Sequence, residues 1–599
     1  MLLVKRKTLH SLIMGCTLAT LVSSPVSAWA TEPENTSSAV EDVASTAAEV
    51  APVVAVQQPP ASINVSQSRE MLTASLPVDV SLKYLSELAP IYAASDMKLM
   101  WADVQLQQQF QQQLAEMALA GINPQFGQWA KLLADTQVTG LARDAILSDA
   151  LVGYLHFVEG VGANGSRWLY NSGSYKLAAP SAERLQQWQV AVHGGDMTKF
   201  IQSLAPQNSQ YAGMHKALRP IIGDAQPWPQ MEDSKQSLRP GNTSQDVPVL
   251  RDILTRSGVM TAKKESSEQA AQDKVIPSPE ASAATAVKVD EETKAIASEL
   301  LVYTPDLVDG VKRFQQMYGL EADGVIGRST RDSLNMAPQI RAAVLALNIQ
   351  RLRLLPDAMN TGIFVNIPDF SLVYYINGEL ILESKVIVGS SSRKTPLMSS
   401  ALNNVVVNPP WNVPTKLIRE DIVPKAKRDP EYLKRAGYTV YAGWGNNAEA
   451  VDPSTIDWSE GSSNYRLQQA PGRSNSLGRF KFNMPNNDAI YLHDTPNHRL
   501  FDRNMRALSS GCIRVNKASE LAGMLLNDAG WDDAKIQGTL KRGSTTYAPI
   551  REKIPVQLYY MTSWVSADGN PEFRTDIYGY DRAAKEGIKE LPQVEKLLH

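Results

Sequence analysis

The spacing of apolar residues changes along the chain, and each change marks a different kind of element. From Leu72 to about Gly223 they recur at helical intervals, most clearly over 84–92, 106–119 and 142–157. The glutamine-rich stretch 105–113 keeps Leu106, Phe110 and Leu114 four residues apart, which predicts an amphipathic helix rather than low complexity. Trp101, Trp168 and Trp188 belong to the core or grooves of this helical domain, about 71–230.

A second helical unit runs over about 236–335. Val247, Leu250, Ile253 and Leu254 fall on a helical period, as do Val311 and Phe314. Gly319 then suits a helix cap, and Asp323-Gly324 and Gly327 a tight turn. Between its halves, 262–299 is rich in Ala, Glu, Lys and Ser and lacks aromatic residues. It reads as a mobile polar loop of unassigned role.

From about Ala342 the pattern becomes short strands. They are 363–367, a hairpin of 371–376 and 380–388 around Asn377-Gly378, then 405–407, 489–493 and 512–515. A late hairpin of 556–564 and 573–578 turns at Asp568-Gly569, and a helix at 518–529 packs behind the strands. The expectation is a multidomain α+β chain whose last domain, 340–585, is a β-sandwich or barrel-like unit followed by a tail, 586–599. Residues 412–476, rich in Trp, Tyr, Gly, Pro and charge, interrupt that domain.

The first thirty residues are of another kind. Lys5-Arg6-Lys7, an apolar run over 12–22 and Ala28-Trp29-Ala30 form a cleavable secretory signal. Ile13-Met14-Gly15-Cys16 faintly resembles a lipoprotein box, but the site at Ala30 fits better. Residues 31–70 lack aromatics and read as a disordered leader. Removing the signal takes away three basic residues and no acids, so the net charge moves from -3 to -6. That balance argues against a general nucleic-acid binder.

Export makes the cysteine count informative. Of two cysteines, Cys16 leaves with the signal and Cys512 remains. A single thiol in an oxidising compartment points to a partner chain or a reactive site, against the plain reading of a small buried apolar residue. Its context, Ser509-Ser510-Gly511-Cys512-Ile513-Arg514-Val515, favours reactivity. A cysteine attacks as thiolate, and a histidine can take its proton and hold an imidazolium beside it. His493 ends an apolar run and is the candidate; His498 lies in an apparent loop. Amides near Ser510, Gly511 and Cys512 would stabilise an oxyanion. Arg514 and Tyr491, two residues from Cys512 and His493, would face the same cleft, Arg514 binding a carboxylate or forming a structural ion pair. His156, His193 and His215 lack metal-type clustering and read as structural, so no metal or organic cofactor is expected.

The stretch from Tyr491-Leu492-His493-Asp494 to Cys512-Ile513-Arg514-Val515 resembles the signature of L,D-transpeptidases with a YkuD-type catalytic domain. Gly389 with Lys394-Thr395-Pro396, Asn408-Pro409-Pro410-Trp411 and Gly478-Arg479-Phe480-Lys481-Phe482 support it. The 236–335 unit resembles a three-helix peptidoglycan-binding domain, and the whole arrangement is similar to the YcbB (LdtD) branch of Gram-negative bacteria. Ser510 stands where most of the family has histidine, so no role of that histidine carries over. The resemblance implies a periplasmic enzyme acting on peptidoglycan stem peptides. Cys512 would attack a tetrapeptide donor at meso-diaminopimelate, release D-alanine and pass the stem to a diaminopimelate amine, giving 3→3 cross-links. It further implies a lid at 412–476, acylation by carbapenems and other wall-synthesis proteins as partners. A hydrolase using the same dyad and a non-catalytic wall-binding scaffold are the alternatives.

Overall fold

A computed structural model describes residues 63–223, 226–261, 300–429, 431–445 and 447–598. The expected signal sequence, most of the expected leader and residues 262–299 lie outside the described residues.

Helical structure begins earlier than the apolar pattern suggested, at Val65–Ser75, where Asn64 and Gln67 cap the helix reciprocally. The glutamine-rich helix is Val104–Ala120, opened by Asp103 and buried along Leu106, Phe110 and Leu114. It packs in one core with Pro124–Ala134 and the long Gly140–Trp168. The chain's end is not a loose tail. Leu591–Leu598 buries Val594, Leu597 and Leu598 against the first two of these helices. The helix before it, Arg582–Gly587, approaches so closely that a Cβ on Gly587 would lie 1.7 Å from the Leu119 carbonyl oxygen.

Among its described residues the second unit has three helices, Val247–Arg256, Pro305–Met317 and Arg328–Leu334, around a core of Leu250, Ile253, Val311, Phe314 and Ile326. The Gln315 side chain holds its glycine turn, accepting from the Gly324 amide (2.9 Å) and donating to the Val325 carbonyl (3.1 Å).

Strands do not begin at Ala342. Pro338–Arg351 is a helix, buried on nearly every side, so it lacks the one-sided pattern that marks a surface helix. Its Arg351 is fully buried. It pairs with Asp581 at 2.7 Å and donates to the carbonyls of Leu169 and Tyr580, tying the helical domain to the strands.

The strands are β1 (Gly362–Asn366), β2 (Ser371–Ile376), β3 (Glu379–Gly389), β4 (Met398–Val407), β5 (Trp411–Asn412), β6 (Tyr438–Ala442), β7 (Ala450–Val451), β8 (Tyr465–Gln469), β9 (Phe480–Asn483), β10 (Leu492–His493), β11 (Ala507–Ser509), β12 (Ile513–Val515), β13 (Thr546–Tyr559), β14 (Ser563–Val565) and β15 (Pro571–Phe573). Nine form one sheet, ordered β11-β3-β12-β10-β9-β4-β13-β1-β2, and β2 pairs back onto β3. The sheet therefore closes on itself, which decides between the two β architectures expected. Residues 556–559 belong to β13 in this sheet. The late hairpin is β14–β15 alone, turning at Asp568-Gly569. Helix Ala518–Asp528 packs against β13, β4 and β9.

Segment 411–476 is a small subdomain. Strands β5, β8, β6 and β7 form its sheet, and Val413, Ile418, Ile422, Leu433, Val440, Trp458 and Leu467 its core. Its helix, 415–428, carries a π turn at Ile418–Ile422.

Candidate active site

Gly511 turns the chain into β12 with φ +121, a conformation glycine adopts readily and other residues avoid. The turn is held at three points. The Gly511 carbonyl accepts from Thr395 Oγ1 at 2.7 Å, the Gly511 amide donates to Ser509 Oγ at 3.1 Å, and Ser509 Oγ donates to the Cys512 carbonyl at 2.6 Å. The Gly511 amide, expected to face an oxyanion, is thus engaged. Among the hydrogen bonds of the described residues none uses the amides of Ser510 or Cys512.

Thr395 is itself fixed. Its amide donates to the Tyr578 hydroxyl (3.0 Å), which donates to the Gly389 carbonyl (2.7 Å). Sequence reasoning missed Tyr578. It is one tyrosine among twenty, and nothing local marks it.

Two strand pairings assemble the reactive side chains. β10 runs parallel to β12 with His493 opposite Arg514, and antiparallel to β9 with His493 opposite Lys481. Strand alternation then brings Tyr491, His493, Lys481, Cys512 and Arg514 to one face. All five line a cleft of about 730 Å³. Lys481 was noticed only as part of a motif.

His493 is buried, and its Nδ1 lies 2.5 Å from the Asp494 carbonyl oxygen. A carbonyl only accepts, so Nδ1 carries the proton and Nε2 of the neutral ring is left as a base. Burial, then Arg514 and Lys481, push its pKa down to about 3, against the Asp494 carbonyl. The resting ring is therefore neutral, not an imidazolium. Burial also raises the Cys512 thiol, opposed by hydrogen bonds from Tyr491 and by the charges of Lys481 and Arg514. Cys512 Sγ lies 3.7 Å from the Ala489 carbonyl oxygen. His498 is on an exposed 3₁₀ turn, 3.5 Å from Asp494, and does not line the cleft.

The 411–476 subdomain closes the other side of the cleft with Leu417, Ile422, Tyr432 and Tyr438. Arg393 binds it to the catalytic turn. Its guanidinium donates to Ser510 Oγ (3.0 Å), to Glu420 (3.0 Å) and to both Asp421 oxygens (2.5 and 2.7 Å). Both carboxylates belong to the π turn, a local irregularity found disproportionately at functional sites. Among the described residues no three His, Cys, Asp or Glu side chains form a metal-type cluster.

A thiol and a neutral histidine base on one face of a closed sheet define a cysteine-dependent acyl-transfer site. The YkuD model, "L,D-transpeptidase catalytic domain", matches residues 360–545; a "Scaffold domain" matches 86–218 and a "Putative peptidoglycan binding domain" 298–334. A Haemophilus influenzae protein named "Putative L,D-transpeptidase" is 36% identical over 507 residues, covering 84% of this chain and 80% of its own length. This chain belongs to the YkuD L,D-transpeptidase family. It is a cysteine-dependent enzyme of peptidoglycan, whose substrate sets an extracytoplasmic place of work. No described helix is long and apolar enough to cross a membrane.

Proposed function

We propose that this protein is a periplasmic L,D-transpeptidase of the YcbB type that makes 3→3 cross-links, exported by the signal at its N-terminus. The Cys512 sulfur attacks the meso-diaminopimelate carbonyl of a tetrapeptide donor as its proton passes to His493 Nε2. The oxyanion accepts from the amides of Ser510 and Cys512. Collapse breaks the peptide bond. D-alanine leaves with the proton held by His493, and a thioester remains. A diaminopimelate side-chain amine of a second stem then attacks the thioester. His493 takes the amine's proton and returns it to the departing sulfur. Arg514 binds a stem carboxylate, and Tyr491 steadies the sulfur. Segment 411–476 acts as a lid, keeping water from the thioester until the amine arrives. A carbapenem would acylate the same thiol through its strained lactam carbonyl.

The observation that carries this reading is the fixed His493 tautomer, Nδ1–H bound to Asp494 and Nε2 bare, on the face that holds Cys512. The test incubates the protein with tetrapeptide-bearing wall fragments and weighs the products. Joined stems plus free D-alanine are expected, and Cys512→Ala should yield neither. Tripeptide and D-alanine without joined stems would mean a hydrolase. Parent protein that releases nothing would mean a binding scaffold.

A further inference from the structure

Lys481 has no part in the reaction as written above, yet it stands directly across β9–β10 from His493. Its ammonium lies 4.1 Å from the centre of the Tyr491 ring, and Tyr491 lines the same cleft as the Cys512 sulfur. No carboxylate pairs with Lys481 among the described residues. On the other side of His493 stands Arg514, whose Nε is buried without a hydrogen-bond partner. Two uncompensated cations therefore flank a neutral histidine.

The charges facing Lys481 can be taken element by element. β10 presents Tyr491 and His493, and the β12 turn presents Cys512 and Arg514. The loop after β3 adds Arg393 and Lys394, and the loop before β10 adds Asp488. The π-turn helix adds Lys416, Lys425 and Asp421, the last already bound by Arg393. The balance is strongly positive around the sulfur. Half-buried cations without counter-charges are costly, and an anion among them relieves that cost. The sulfur is the group of this chain best placed to become that anion.

We propose that Lys481 is a positioning residue that stabilises the Cys512 thiolate across the Tyr491 ring, so that a fixed lysine charge offsets part of the cost of ionising the buried nucleophile. In the free enzyme the thiol exchanges its proton with solvent, with donor bound that proton passes to His493 Nε2 as written above, and in both cases Lys481 keeps its own three. The stacked tyrosine ring seats the ammonium by its negative face. Burial, the largest cause, lowers the Lys481 pKa and raises that of Cys512, and the charge of each group opposes the shift of the other.

The inference rests on the transpeptidase reading only in taking Cys512 as the reacting thiol. The test therefore reads that thiol directly. Alkylation at Cys512 by neutral iodoacetamide and by anionic iodoacetate is followed against pH by peptide mapping, in the parent, Lys481→Met and Lys481→Arg. In folded Lys481→Met the iodoacetamide midpoint should rise by about one pH unit, leaving roughly tenfold less thiolate on its acid side. The preference for iodoacetate should fall, and Lys481→Arg should restore both. Folded Lys481→Met with the parent's midpoint and reagent preference overturns the proposal. Should that variant misfold, the parent still decides: an iodoacetate-to-iodoacetamide rate ratio at or below that of glutathione overturns it. A parent that alkylates as expected but joins no stems would remove the transpeptidase reading and leave the lysine assignment standing.

Discussion

Arg393→Met should loosen the lid without touching the dyad. The methionine keeps the aliphatic stem but loses the forked contact to Asp421, the bond to Glu420 and the bond to Ser510 Oγ. Asp421's side chain is 40% exposed, so solvent screening limits that pair to about 1 kcal/mol despite its geometry. The Ser510 bond contributes about 1 kcal/mol more. Together they shift the seated-to-lifted balance by roughly 10- to 30-fold. In the proposed mechanism transfer needs the 411–476 lid seated over two stems, whereas hydrolysis of the thioester needs only water. The assay is a mass balance of joined stems against tripeptide, with single-turnover acylation followed by intact mass. Acylation should change little, while the tripeptide share rises severalfold. Asp421→Asn should act in the same direction. The double variant should cost less than the sum of the singles, because both remove one interaction. An unchanged product ratio in folded Arg393→Met, or strictly additive singles, would refute the latch.

His493→Asn should slow acylation by about 10²–10⁴-fold, the usual worth of a general base, while His498→Ala changes it little; acylation by a carbapenem, read by intact mass, separates them. Gly511→Ala places a side chain at φ +121 and 3.4 Å from Ile490 Cδ1, so we expect about 1–3 kcal/mol of backbone strain at the turn. Turnover should then collapse with a lowered melting temperature but intact circular dichroism. His493 also links stability to pH. Its ring stays neutral in the native state down to about 3, while the unfolded chain protonates near pH 6.5. Between those values the unfolded state binds the extra proton. Native stability should therefore fall as pH drops through this window, by up to about 1.4 kcal/mol per unit. Urea midpoints across it should show a shallower slope for folded His493→Asn.

Much of this protein is legible along the chain because its periods are local. The Leu106, Phe110, Leu114 spacing identified a helix within a glutamine run, and Asn377-Gly378 identified the β2–β3 hairpin. The Ser-Ser-Gly-Cys turn was visible for the same reason, and the histidine upstream because it ends a short apolar run within one stretch of motif. Helix Pro338–Arg351 was lost because burial on all sides erases the polar face that a period needs. The C-terminal helix gains its reason to fold from partners several hundred residues earlier. Which charges surround the nucleophile was likewise beyond the sequence. Lys481, Arg393 and Tyr578 reach Cys512 or its turn only because β9, β10, β12 and the loop after β3 are brought side by side when the sheet closes. Chain order alone points to the kind of chemistry, a cysteine with a histidine. The tertiary structure set the burial that keeps that histidine neutral and the positive field around the thiol, because both depend on pairings between distant strands and on the exclusion of water.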